Sequence, residues 1–240
     1  MLFTNLSRLL LGSSVTLLSL AALVGKTQPA KAIDITFDYS YDTNEFFTNG
    51  NESRQTLLTQ AASSFEGFTD QLSPVAERTY NILTNPSDVD QDVSVTTAVA
   101  QNEIKIYVGS DLDLSSIGLG GLITFGSTAR GQTGAPASDV EPVIGFISFK
   151  DYGGENGANN DSQWHFGTTT VGLTGTTKND FLSTAIHEIA HVMGFGTSES
   201  WDNLVSGSNQ FLGTKSNEIY GGNVPLTPDS GHWQDGIESQ

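Results

Sequence analysis

The residues best suited to chemistry are His187, Glu188 and His191, in the run His187-Glu188-Ile189-Ala190-His191. Around them Phe181, Leu182, Ala185, Ile186, Ile189, Ala190 and Met193 recur at helical spacing. Asn179 or Asp180 supplies a start and Gly194 a stop, so the run is predicted to lie on a largely buried helix. Four residues along an α-helix is about 400° of rotation and ~6 Å of rise, which stacks the two imidazoles on one face, within reach of a single tetrahedral ion. Glu188 points about 100° away around the axis, out of reach as a compact third ligand yet able to touch a water on the metal. Two neutral imidazoles leave zinc its full charge, which lowers the pKa of bound water from ~15.7 towards ~7 and polarises a peptide carbonyl. Glu188 is then placed to take the water's proton and return it to the leaving amine. With 4 His and 11 Glu in 240 residues, chance yields this pattern roughly 0.002 times per chain of this composition. Two histidines one turn apart with an accidental glutamate is therefore the weaker explanation.

Zinc needs a third protein ligand, and four residues compete for the role: His165, His232, Glu199 and Glu218. His165 lies in Trp164-His165-Phe166, a short predicted strand, where a core or edge-strand histidine is expected. His232 lies 41 residues beyond His191 in a Gly/Pro-rich coil able to fold back under the site. Glu218 follows Asn217, but Ser216 to Gly222 has a poor helix pattern. A second metal is worth weighing: Asp151, Glu155, Asn156, Asn159 and Asp161 offer hard oxygens of the kind Ca2+ prefers, without the spacing of an EF-hand. A solvated turn is the plainer expectation there.

Composition narrows the function classes. With 27 acidic against 10 basic residues the formal charge is −17, which repels phosphate and argues against nucleic-acid or anionic-lipid partners. The lack of Cys excludes disulfides, thiolate metal clusters and a cysteine nucleophile, and no G-x-S-x-G element offers a serine. Arg8, the apolar stretch from Leu9 to Val24 and Ala30-Lys31-Ala32 read as a secretory signal over 1–32, leaving a chain of 33–240. Without Arg8, Lys26 and Lys31, seven basic residues face 27 acidic ones, about −20, an exported acidic protein with no membrane segment after removal of the leader.

The elements that must position these groups form a mixed α+β layout. Strands are predicted at Ile33 to Tyr39, Val93 to Val99, Glu103 to Val108 and Ile144 to Phe149, where apolar residues alternate. Helical spacing marks Ser53 to about Gln71, with Asn51 as cap, and a short helix is expected over Pro74 to Leu83. Gly118 to Gly134 and Gly153 to Asp161 read as loops.

His187-Glu188-x-x-His191-x-x-Gly194-Phe195 resembles the signature of metzincin zinc proteases, in which the glycine turns the chain out of the helix towards a third histidine. In most metzincins that histidine stands three residues after the glycine, where this chain has Thr197. The leishmanolysin-like branch differs, with a distant third histidine followed by Trp, and His232-Trp233 is similar to that arrangement, as are Phe211-x-Gly213 and Tyr220-Gly221-Gly222-x-Val224-Pro225-Leu226 to bacterial secreted members. The resemblance implies His187, His191 and His232 as zinc ligands, with Glu218 the runner-up, Glu188 as catalytic base, and a polypeptide substrate. It also implies a metzincin-like fold: a twisted mixed sheet with two long helices, a cleft along the sheet's edge strand within residues 118–149, and a loop-rich C-terminal subdomain. A methionine turn normally follows the third histidine, whereas the methionines here are Met1 and Met193, so the expectation is a chain cut short before that turn. The expected activity is a secreted zinc endopeptidase. The alternative is a non-catalytic exported module that holds zinc or calcium on the same scaffold.

Overall fold

The computed structural model describes residues 31–70, 72–122, 130, 141–153, 161–169, 173, 175–234 and 236. All but the last two residues of the expected leader lie outside them. In chain order the strands and α-helices are β1 (Lys31–Ala32), β2 (Asp34–Asp38), α1 (Ser53–Ser63), β3 (Thr69–Asp70), β4 (Val75–Asn85), β5 (Asp88–Val99), β6 (Glu103–Asp111), β7 (Gly118–Leu122), β8 (Ile144–Lys150), β9 (Trp164–His165), β10 (Asn179–Asp180), α2 (Phe181–Val192), α3 (Glu199–Asp202), β11 (Gln210–Phe211), α4 (Thr214–Tyr220) and β12 (Val224–Pro225). The fold is mixed α+β.

The central sheet has the order β2-β6-β8-β7, parallel throughout except for the antiparallel β7 at its edge. Both faces of β6 are covered. Ile104, Ile106 and Val108 project to one side, where Leu57, Leu58 and Ala61 of α1 and Phe181, Ala185, Ile189 and Val192 of α2 close over them with Phe46, Phe47, Phe149 and Trp164. Tyr107 projects to the other side, joining Ile144 against Tyr80, Leu83, Val95 and Val99 of the β4-β5 hairpin. The result is three layers, hairpin, sheet and helices, each buried side chain of this size contributing about 1.5–3 kcal/mol.

Several expectations are corrected. The helix over Pro74 to Leu83 is instead β4, paired antiparallel with β5. Register shifts between Val75 and Arg78 and between Tyr80 and Leu83 break the two-residue alternation, so Tyr80 and Leu83, three apart, both enter the core and imitate a helical spacing. α1 stops at Ser63 instead of reaching Gln71, and Asn51 does not cap it: its amide donates to the Glu45 carbonyl at 2.9 Å. Gly118 to Leu122, expected as loop, is the edge strand β7, while 123–129 and 131–134 lie outside the described residues. Ser216 to Gly222, expected to be non-helical, falls largely on α4, a helix that buries no side chain and ends on Gly221 at φ 86°. Its stability therefore does not come from an apolar stripe, which is the signal the sequence pattern reads.

Candidate metal centre

α2 begins where Asp180 accepts from the Ser183 N–H at 3.0 Å, the capping arrangement its position promised. It ends in a Schellman motif: the Gly194 N–H donates to His191 O and the Phe195 N–H to Ala190 O, both at 3.0 Å, with Gly194 at φ 99°. That turn carries the Phe195 carbonyl back over the helix, where His191 Nδ1 donates to it at 2.8 Å. A proton fixed on Nδ1 leaves His191 Nε2 as a bare lone pair. At Thr197 the side chain donates to the His191 carbonyl at 2.7 Å.

His232 reaches the same place from a separate unit. Trp201 stacks on Phe211 at 4.2 Å between ring centroids and meets Trp233 at 5.3 Å, over Val224 and Leu226. The Trp201 indole donates to Ser230 O at 2.8 Å, and Thr227 N–H to His232 O at 2.9 Å closes the loop. Trp233 thus anchors the segment whose neighbouring residue is the imidazole. Gly196, at φ 72°, lies so close to this loop that a Cβ there would stand 2.1 Å from Gly231 O. Only glycine permits the approach.

The outcome is three converging imidazoles. His191 Nε2 lies 3.0 Å from His187 Nε2 and 3.1 Å from His232 Nε2, and one ligand atom from each of the three falls within 4.8 Å of the others. Nitrogens at ~2.05 Å from a tetrahedral zinc stand about 3.3 Å apart, close to the two separations from His191. His232 Nδ1 faces Asp229 Oδ2 at 3.4 Å, which places the His232 proton on that side, and Asp229 is itself held by the Thr227 hydroxyl at 2.6 Å and the Gly231 N–H at 3.0 Å. Those contacts, Thr227 first, keep its carboxyl below the usual range. His187 opens onto the cleft, yet desolvation, reinforced by His191 and then His232, pushes its pKa down to about 4. Burial lowers His191 too. Neutral imidazoles gathered with their Nε2 atoms at one point are a donor set that suits a divalent metal.

Glu188 stands outside this trio. It is 5% exposed, and desolvation raises its pKa to about 7 against a hydrogen bond from the Gly120 N–H that lowers it. Its side chain lies against β7, where a Cβ on Gly118 would come 2.5 Å from Glu188 Oε1 and one on Gly120 2.5 Å from Glu188 O. Helix and strand can approach this closely because both residues lack side chains. A cleft of about 690 Å³ follows the contact, lined by Ile117, Leu119, Thr184, the three histidines and Glu188 among others.

His165 is not part of the trio; its Nε2 lies 2.9 Å from Thr169 O beside β9. Glu218 pairs with Lys215 at 2.7 Å on the exposed side of α4, and Glu199 sits in the first turn of α3. Of the calcium candidates, Glu155, Asn156 and Asn159 and the side chain of Asp161 lie outside the described residues, and Asp151 is buried, accepting from the Gly153 N–H at 2.8 Å. Asp229 and the pair Gly118 and Gly120 were not singled out in the sequence. A carboxylate three residues before a candidate ligand histidine could have drawn attention to Asp229; the glycines carry no such mark. Among the described residues no helix is long and apolar enough to cross a membrane. No protein-family model, no curated protein and no solved structure matches this chain.

Proposed function

We propose that this protein is an exported zinc endopeptidase of metzincin type, nearest to the leishmanolysin-like branch in the placing of its third histidine. One observation carries the proposal: the Nε2 atoms of three imidazoles, two from one helix and one from a loop 41 residues on, converge beside a desolvated carboxylate that is not itself in the cluster. The mixed sheet with an antiparallel edge strand against the histidine helix supports the same family.

His187, His191 and His232 would hold the ion, which when bound supplies Lewis acidity for a peptide carbonyl and a lowered water pKa. The Phe195 carbonyl and Asp229 fix the orientation of two of the three rings. Burial raises the pKa of the Glu188 carboxyl to about 7 in the metal-free site, and the group stands beside the ligand cluster where a general base is needed. Its carboxylate takes the proton of the attacking water and delivers it to the leaving amide nitrogen. β7 offers a polypeptide an edge along which to lie extended, and Ile117 and Leu119, 44% and 38% exposed, make that edge apolar. The acidic excess argues against phosphate-bearing polymers, and polypeptide as the substrate class is what the family resemblance implies.

The test compares wild type with Glu188→Ala on a denatured protein substrate, at equal zinc content. A loss of about 10²–10⁴-fold is expected for removal of a general base. Equal rates would show that Glu188 does no proton transfer.

A further inference from the structure

Residues 198–234 carry a core of their own. Trp201 stacks on Phe211, both meet Trp233, and Val205, Val224 and Leu226 complete a cluster that, among the described residues, shares no member with the core under α1 and α2. The backbone hydrogen bonds of this stretch, again among the described residues, close within 194–234: Ser198 N–H to Gly194 O at 3.1 Å, Leu212 N–H to Leu204 O at 2.7 Å, Leu226 N–H to Asn209 O at 2.9 Å and the β11–β12 pair. α4 has no buried residue and leaves Ile219 70% exposed. The joint to α2 is short. Gly194 and Gly196, at φ 99° and 72°, carry the chain across it, and the Phe195 ring between them touches Phe68 and Trp201 at 6.2 and 6.3 Å between centroids while remaining half-open to water. The unit then returns to α2 through His232, whose Nε2 lies 3.1 Å from that of His191. Its Asp229, Gly231 and His232 line the cleft together with Ile117, Leu119 and Glu188.

We infer that residues 198–234 are a flap with an independent core, hinged at Gly194 and Gly196, that is latched over the cleft when His232 shares an ion with His187 and His191. Residues without a Cβ absorb the φ and ψ changes of a hinge at little steric cost. Apolar burial across the joint is slight, so the imidazoles are what hold the closed position, and an ion bound by all three binds that position alone and shifts the population towards it. Metal uptake then completes the ligand set and builds one wall of the substrate cleft in a single event, which makes metal supply the regulator of access. This inference rests on the metal reading of the site but is tested without turnover.

The full chain in zinc and in chelator provides the comparison. By NMR hydrogen exchange the Thr197 and Ser198 amides, both bonded to Gly194 O, are expected to exchange at least about tenfold faster in chelator, while the Leu226 amide and the Trp201 indole stay equally protected because the flap keeps its core as it swings. The chain has no Cys, so spin labels on a Gln60→Cys, Ile219→Cys double variant, both at exposed sites, report the separation of α1 and α4 by pulsed EPR. A narrow distance distribution is expected in zinc and one at least about twice as broad in chelator. Adding His232→Ala is expected to keep the distribution broad even in zinc. Equal distributions with zinc bound and removed would overturn the hinge, and a narrow one in zinc for His232→Ala would overturn the latch. Loss of Leu226 and Trp201 protection in chelator would overturn the independent core. Wild type that binds no zinc would sink the metal reading and this inference together, whereas zinc-dependent narrowing in a protein that cleaves no casein would sink the proteolytic reading alone.

Discussion

Gly196→Ala tests how the third imidazole is brought to the other two. The new methyl would stand 2.1 Å from Gly231 O, whereas such atoms settle at about 3.5 Å, so the two backbones must part by roughly 1.4 Å. His232 follows Gly231 directly, and metal–ligand distances tolerate only about ±0.2 Å. The displaced ring can no longer close the set. Loss of a supporting partner alone typically costs 10–100-fold in metal affinity, and losing the ligand itself places the expected weakening at about 100-fold or more. At zinc equal to about 1,000 times the wild-type Kd, binding stabilises wild type by ~4.1 kcal/mol but the variant by only ~1.4 kcal/mol. For a chain of this size the missing ~2.7 kcal/mol is a zinc-dependent Tm increment smaller by about 5–10 °C. Ala at φ 72° adds roughly 1–2 kcal/mol of strain whether zinc is present or not. Gly221→Ala isolates that part: its φ is 86°, but nothing lies within 4 Å of the Cβ site. Kd measured by competition with a chromogenic chelator, with melts in zinc and in chelator, separates the two effects. Wild-type zinc affinity in Gly196→Ala would refute the claim that the Gly196–Gly231 approach positions His232.

The other predictions concern the ligands, the base and the cleft. His232→Ala is expected to lose stoichiometric zinc by elemental analysis, while Glu218→Ala, whose carboxylate is paired with Lys215, retains it; the reverse pattern would move the third ligand to α4. In metal-free protein the raised Glu188 pKa means that the native state binds more protons than the unfolded one between about pH 4.5 and 7, so stability from this group falls as pH rises through that window. Glu188→Gln should match wild type near pH 4 and exceed it at pH 8, by at most about 3 kcal/mol; urea titrations at the two pH values that give the same difference would discard the buried-carboxylate account. Leu119→Glu, placing a charge on the apolar edge of the cleft, should reduce cleavage next to large apolar residues of a peptide library while leaving zinc content unchanged, and an unaltered preference would remove Leu119 from substrate selection.

What the sequence alone determined is the part of the site that depends on neighbours along the chain. Two histidines four apart share a face on any α-helix, Asp180 caps and Gly194 stops because those roles need only a side-chain oxygen and a permissive φ. The alternating runs of β2, β6 and β8 were legible for the same reason, since each strand carries its own two-residue period. Pairing across the chain was not legible. Bulges in β4 made a strand look helical, and the glycines of β7 looked like loop because what they accommodate, α2 and Glu188, lies about 70 residues away in sequence. The residues of the chain left His165, His232, Glu199 and Glu218 in competition, and a family resemblance pointed to His232. Only the tertiary structure decided that His232 joins the cluster: Trp201, Phe211 and Trp233 stack to fold the last loop, and two glycine backbones touch to bring it under the helix. A helix face is set by bonds each residue makes to the next few, whereas a third imidazole arrives only when distant segments bury their aromatic surfaces together.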